Sequence, residues 1–192
     1  MRQSISGRNA GLLIYQAGYS LVELLVVMAL GTILLSIAVP SMTAMLNSQR
    51  SAALGMSFLS SLNLARSEAI KRNARAVLCK SPDGLSCARN GGYEQGWIVF
   101  HDVNNNAALD EGEQIIELQG PVWGGLTLIG NTPVANYVSF SASGSAKLLN
   151  GAFQAGTFTL CLVPVSGADV RQLVLSNTGR ARSRKGLTSD CG

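Results

Sequence analysis

Between Leu21 and Val39 the chain runs for 19 residues with a single ionisable side chain, Glu23. As a helix that run measures about 28 Å, close to the hydrocarbon thickness of a bilayer. A secretory signal places its small-residue cleavage site after the apolar stretch. Here the small residues Ala17 and Gly18 come before it, and Pro40 follows it. Nothing releases the run from the residues beyond, so it is expected to stay attached as a helix buried in lipid or among other subunits. A cut after Gly18 would leave it at the start of the mature chain.

Glu23 constrains the reading further. A carboxylate inside an apolar helix costs about 2.5–3.5 kcal/mol even on the lenient insertion scale, so it needs a partner. The simplest partner is solvent at the headgroups, since Glu23 lies near the start of the run. Cleavage after Gly18 would supply another, the new amine of Tyr19, on the same chain or a neighbour. That second partner accounts for the cleavage and the buried charge together.

Gly18-Tyr19-Ser20-Leu21-Val22-Glu23-Leu24-Leu25-Val26-Val27 resembles the class III signal of type IV pilins and type II secretion pseudopilins. The resemblance implies cleavage by prepilin peptidase after Gly18 and N-methylation of Tyr19. It also implies that Glu23, fifth in the mature chain, guides assembly with other pilins. Pro40 stands where many pilins carry a helix-kinking proline. Tyr19 replaces the commoner Phe, and the leader carries an apolar run, Leu12-Leu13-Ile14-Tyr15.

Beyond Pro40, Met42, Met45, Leu46, Leu54, Phe58, Leu59, Leu62, Leu64 and Ile70 recur at three- and four-residue steps. That spacing predicts a helix continuing to about Asn73, its second half packed under a sheet. Lys71, Arg72 and Arg75 would complement the helix dipole at its end. The composition then turns to glycine, asparagine, serine and short β-prone runs. Strands are expected at Ala76–Lys80, Gly96–His101, Gln114–Gln119, Leu126–Ile129, Tyr137–Ser141, Thr157–Val163 and Val170–Ser176. In the run Phe158–Leu162 the alternation buries one face and turns Cys161 to the other. The architecture is α+β, a long helix followed by antiparallel strands. Its parts are a leader (1–18), a membrane and assembly half-helix (19–40), an amphipathic half-helix (41–74) and a β-rich domain (75–192).

Four cysteines, Cys79, Cys87, Cys161 and Cys191, all fall outside the apolar run. They match no C-x-x-C site, and one histidine, His101, cannot supply a Cys/His metal centre. In an exported domain an even count reads as two disulfides, with three connectivities open. Cys79–Cys87 would close a loop through the turn-like Ser81-Pro82-Asp83-Gly84, and Cys161–Cys191 would tie the tail to a strand. Neither a P-loop nor a dinucleotide fingerprint is present, so neither catalysis nor a cofactor is expected.

Two constellations remain. Asp102-Val-Asn104-Asn-Asn106-Ala-Ala-Leu-Asp110-Glu-Gly-Glu113 sets oxygen side chains at positions 1, 3, 5, 9 and 12 of a calcium-loop pattern. Ala107 stands where that loop's sharp turn wants glycine, and strands rather than helices flank it. The stronger reading is an Asx-rich connection that caps its own backbone, with no metal.

The second is Asn177-Thr178-Gly179-Arg180-Ala181-Arg182-Ser183-Arg184-Lys185. Removing Arg2 and Arg8 with the leader leaves 13 basic residues against 11 acidic ones, so the mature chain is nearly neutral. Residues 171–192 nonetheless carry five cations and only Asp190 in opposition. If Asn177–Gly179 turns the chain, a two-residue period projects Arg180, Arg182 and Arg184 from one face. Such a row can neutralise phosphates without reading sequence, and it can equally be a solvated basic tail.

Taken with Gly96-Trp97-Ile98-Val99-Phe100 before the Asp102 loop, the layout resembles the FimT/GspH family of minor pilins and pseudopilins over nearly the whole chain. In that family a Gly-Arg-x-Arg signature near the C-terminus marks FimT-like minor pilins that bind DNA for natural transformation. Gly179-Arg180-Ala181-Arg182 matches it. The resemblance implies a type IV pilin fold, an inner-membrane helix with a periplasmic domain, and later entry into a surface pilus. It also implies sequence-independent DNA contact through Arg180 and Arg182; Arg184 and Lys185 join them on charge alone. The alternative within the same family is a GspH-like pseudopilin or priming pilin with a structural role.

Overall fold

The computed structural model describes residues 18–122, 124–163 and 170–191. The expected leader, up to residue 17, lies outside them. The chain divides into two compact units between Met42 and Thr43. Helix α1 is Leu21–Arg72, with Pro40 inside it.

In the first unit, Ser20 starts the helix: the Glu23 N–H donates to Ser20 Oγ at 3.2 Å. This satisfies one of the donors a helix start leaves unpaired. The apolar side chains that follow, Leu21 to Val39, stand almost uniformly exposed. The helix is long and apolar enough to cross a membrane, and none of its most apolar stretch is buried.

In the second unit the buried helix positions are Ser51, Leu54, Gly55, Phe58, Ser61, Leu62, Ala65 and Ala69, a three-and-four spacing that forms one stripe. Among the described residues eight strands follow: β1 (Arg75–Lys80), β2 (Trp97–Asp102), β3 (Ile115–Gln119), β4 (Leu126–Gly130), β5 (Tyr137–Phe140), β6 (Gly156–Leu162), β7 (Arg171–Leu175) and β8 (Ala181–Lys185). They form two four-stranded sheets, β3-β2-β1-β5 and β4-β6-β7-β8. All described pairings are antiparallel. The architecture is α+β.

One core holds the helix stripe and the inner faces of both sheets. Phe58 is its centre, edge-to-face with Tyr93, Trp97 and Phe158 at 5.0, 5.1 and 4.8 Å between ring centroids. Pairs of this kind add about 0.5–1.5 kcal/mol each beyond area burial. The polar ends of the rings are satisfied. Trp97 Nε1 donates to Ser61 Oγ at 2.9 Å, and the Tyr93 hydroxyl donates to the Val134 carbonyl at 2.8 Å.

Two sequence expectations change in detail. Arg75 does not serve the helix end; it opens β1, with Nε donating to Asn105 Oδ1 and an Nη to Ser139 Oγ. Only Lys71 and Arg72 remain in the last turn, both paired to Glu68. The Arg-rich segment runs extended after its turn, as expected, but it is also paired, which local pattern did not give. It is β8, a fourth strand of the second sheet.

Candidate functional site

The turn before β8 depends on Gly179, whose φ is +77°. A β-carbon there would also stand 2.1 Å from the Gly144 carbonyl oxygen, so both conformation and space demand glycine. The turn is tied by the Ser176 N–H donating to the Arg180 carbonyl (2.9 Å) and the Arg180 N–H donating to Ser176 Oγ (3.2 Å).

From that turn the register assigns each cation a face. Leu175 opposes Ala181 and Leu173 opposes Ser183, on the core side. Val174 opposes Arg182 and Gln172 opposes Arg184, on the outer side. Arg180, in the same alternation, precedes them. Arg180, Arg182 and Arg184 therefore share the outer face of an edge strand, all exposed. Lys185 opposes Arg171 and belongs to the other face. Val174, Ser176 and the first two arginines line a groove of about 450 Å³.

Among the described residues no carboxylate is paired with these cations, and the ion pairs are those of Glu68 with Lys71 and Arg72. Arg184 is the one arginine of the row with a side-chain partner, its Nε donating to Gln172 Oε1 at 2.7 Å. The Gln172 amide then donates to Asp190 Oδ2 at 2.9 Å. Asp190 is held in turn by the Leu187 N–H (2.8 Å), and its neighbour Cys191 is bonded to Cys161 on β6. Sequence reasoning missed this relay, because nothing in the local pattern places Gln172 beside Arg184.

The second disulfide, Cys79–Cys87, closes the loop after β1. Asp83 organises that loop. Its carboxylate accepts from the Leu85 N–H, the Ser86 hydroxyl and N–H and the Ser81 hydroxyl, which together hold its pKa down to about 2. The Asp102–Glu113 loop is likewise self-directed. Asp102, 1% exposed, accepts the Asn106 and Ala107 N–H groups, and Glu113 accepts those of Val103 and Asp110. Ala107 takes the left-handed conformation, φ +56°, that glycine would otherwise fill. Burial raises the Asp102 carboxyl above its ordinary range, against the pull of those N–H donors. His101, the chain's one histidine, donates its backbone N–H to the Gln114 carbonyl, and its Nε2 is buried without a hydrogen bond.

At the other functional segment, Gly18 and Tyr19 precede the helix, and the Tyr19 side chain is exposed. Glu23 lies in the first turn, three residues after its cap. Ser20-x-x-Glu23 is the spacing of a capping box, a signal present in the sequence that reasoning from buried charge passed over.

An apolar helix opening on a processing motif, followed by a helix stripe packed on antiparallel sheets, defines a type IV pilin-like subunit. The model of the family described as type II transport protein GspH matches residues 55–179, and that of the prokaryotic N-terminal methylation motif matches residues 14–39. The chain belongs to the GspH family and is a minor pilin or pseudopilin. It is 32% identical over 170 residues to a pilin-like protein, PilA1, of Thermus thermophilus, covering 86% of this chain and 96% of that one. The type IV minor pilin FimU of Pseudomonas aeruginosa shares the fold with a TM-score of 0.50, at 18% identity, over 72% of this chain and 94% of that chain. The minor pseudopilin EpsH of Vibrio cholerae superposes with a TM-score of 0.49, at 13% identity, over 71% and 97% of the two chains. The methylation motif implies processing by prepilin peptidase, and the family implies work within a filament.

Proposed function

We propose that this chain is a minor pilin of a type IV pilus that captures DNA without regard to sequence, contributing to uptake in natural transformation. Its helix anchors it in the inner membrane with the second unit on the periplasmic side, and it later joins a surface pilus. Gly18 and Tyr19 are the cleavage and methylation positions, and Glu23 guides assembly. Arg180, Arg182 and Arg184 are the DNA contacts, with Lys185 beside them and Gly179 shaping the turn.

The observation that carries this reading is the column of exposed Arg180, just before β8, and Arg182 and Arg184 on its outer face, with no carboxylate paired to any of them among the described residues. Alternate residues of a strand are about 6.8 Å apart, a spacing suited to successive phosphates of one nucleic-acid strand. Three or four such contacts give a salt slope of roughly −3 to −4 on duplex DNA, and weak affinity for one copy. Several copies in a filament would raise avidity.

A structural reading has its own support. Charged side chains on an exposed edge strand blunt sheet-to-sheet pairing, and β8 is such an edge. On that account the subunit serves the filament alone, as a pseudopilin or priming pilin does.

The two readings separate in one experiment. The full chain in detergent micelles is titrated with duplex DNA across salt, beside the Arg180→Gln/Arg182→Gln variant. Binding that weakens with salt and is lost in a folded double variant supports capture. Equal binding by both, or binding by neither, leaves the structural reading.

A further inference from the structure

Resting on that reading, we propose that the nucleic-acid surface extends from the arginine column onto the part of the second sheet's outer face that the Cys161–Cys191 tail leaves open, and that its partner is duplex DNA held by backbone contacts across it. The register lays two rows across the strands, each starting at an arginine. Arg184 is followed by Gln172, Thr159 and Ile129 on successive strands. Arg182 is followed by Val174 and Thr157, and the Thr157 N–H donates to Asn131 Oδ1 at 3.1 Å. At about 4.8 Å between strands, each row crosses roughly 14 Å of surface.

The rows have the chemistry of a backbone-binding surface. Threonine hydroxyls and the asparagine amide contact phosphate and sugar oxygens, the arginines supply the charge, and Gln172 is engaged in positioning Arg184. The first row borders a groove of about 480 Å³ that begins at Arg184 and reaches β4. Among the described residues that line it, the carboxylate is that of Asp190, and it is occupied by the Gln172 amide and the Leu187 N–H. The relay through Gln172 holds the Arg184 side chain beside the groove.

Two comparisons point to a duplex and to this face. Neither row contains an aromatic ring, so unpaired bases find no platform on which to stack. The outer face of the first sheet, by contrast, is sealed by its own apolar cluster of Val77, Cys79, Ile98, Phe100 and Ala107. Only the second sheet offers part of its outer face as an extension of the arginine column.

The test places one negative charge at a time on each side of the molecule, using the full chain in detergent micelles and a fluorescent duplex of mixed sequence at low salt. Thr159→Glu, two strands from Arg184, is expected to weaken binding about tenfold, because it repels phosphate inside the footprint. Leu85→Glu, 74% exposed on the disulfide loop of the other sheet, makes a larger change of character but is expected to leave affinity within about twofold. Thermal melting checks that each variant is folded. If Thr159→Glu is not, Ile129→Glu in the same row, 58% exposed, replaces it. A single strand of the same length is expected to bind more weakly than the duplex.

Wild-type binding by the folded row variant, or equal loss in Leu85→Glu, overturns the extended face. Tighter binding of the single strand overturns the duplex. The Arg180→Gln/Arg182→Gln variant runs in parallel. If it loses binding while the row variant does not, the arginine column stands and only the extension falls. If it binds as wild type, both fall.

Discussion

The two sheets begin from the same alternation and end with different outer surfaces. Each gives its inner face to the core around Phe58. Behind the first sheet, the Cys79–Cys87 loop and the Asp102–Glu113 connection enclose a second apolar layer, and Ala107 from that connection packs into it. Behind the second sheet, Cys191 is bonded over the buried Cys161, but Thr127, Thr157, Thr159 and Gln172 stay partly exposed and Arg182 and Arg184 fully so. A sheet closed on both sides is scaffold. One that is closed on one side and charged on the other is available for contact, and the difference arises in the loops rather than in the strands.

The largest expected effect tests what the sheets share. Phe58→Ala removes a ring that touches Trp97 of one sheet and Phe158 of the other, and is expected to cost about 3–5 kcal/mol in denaturant unfolding. Both halves should loosen together. A variant whose hydrogen exchange rises in one sheet alone would show that the core is less unified than its packing.

Removing the disulfides separates the sheets. On loop-closure entropy, replacing Cys161 and Cys191 by serine, a separation of 30, is expected to cost roughly 3.6 kcal/mol; for Cys79 and Cys87, a separation of 8, the figure is roughly 2.5 kcal/mol. The first change frees the tail beside Arg184 and is expected to weaken DNA binding. The second should leave binding intact while exposing the covered layer of the first sheet to a hydrophobic dye.

A pH titration sharpens the same contrast. Asp83 titrates at about 2 when folded, below its ordinary 3.8. Its contribution is therefore present above about pH 4 and is lost as pH falls toward 2. The melting temperature of Asp83→Asn should lie below that of wild type at pH 6, and the gap should close between pH 4 and 2. A gap independent of pH would mean that the side-chain shape, and not the charge, organises the loop.

The smallest effects separate the two faces of β8. Arg184→Gln should reduce the salt slope of DNA binding by about 0.9, the value of one phosphate contact. Lys185→Gln, on the other face, should reduce it less. Equal reductions would show that the edge strand presents both faces to the duplex.

Much of this architecture was legible from residues alone. The seven expected strands all form, within a residue or two of their expected bounds, because alternation and turn residues are local signals. Of the helix positions expected from spacing, Leu54, Phe58 and Leu62 are buried, whereas Met42, Met45, Leu46 and Ile70 stay exposed and the small residues Ser61, Ala65 and Ala69 complete the stripe. What local pattern does not carry is partnership. The alternation of Arg180, Arg182 and Arg184 could be read, but their station on a fourth strand beside β7 could not, since strand neighbours are chosen over long range. Lys185, joined to the arginines on charge alone, lies on the other face, where the register sets it opposite Arg171. Thr157 and Thr159 looked like ordinary strand residues until β4 and β7 flanked them.

The glycine before the arginines has a consequence for how such a signature is read in other chains. Gly179 is wedged against the Gly144 carbonyl in a backbone conformation that side chains resist, and the arginines that follow inherit their facing from it. It works as punctuation: displaced, it would leave the same letters spelling a different word. A chain that kept Arg-x-Arg but lost the glycine would retain the charge and scatter its direction. One that kept the glycine and exchanged the arginines would present the same strand, correctly aimed, to a different partner.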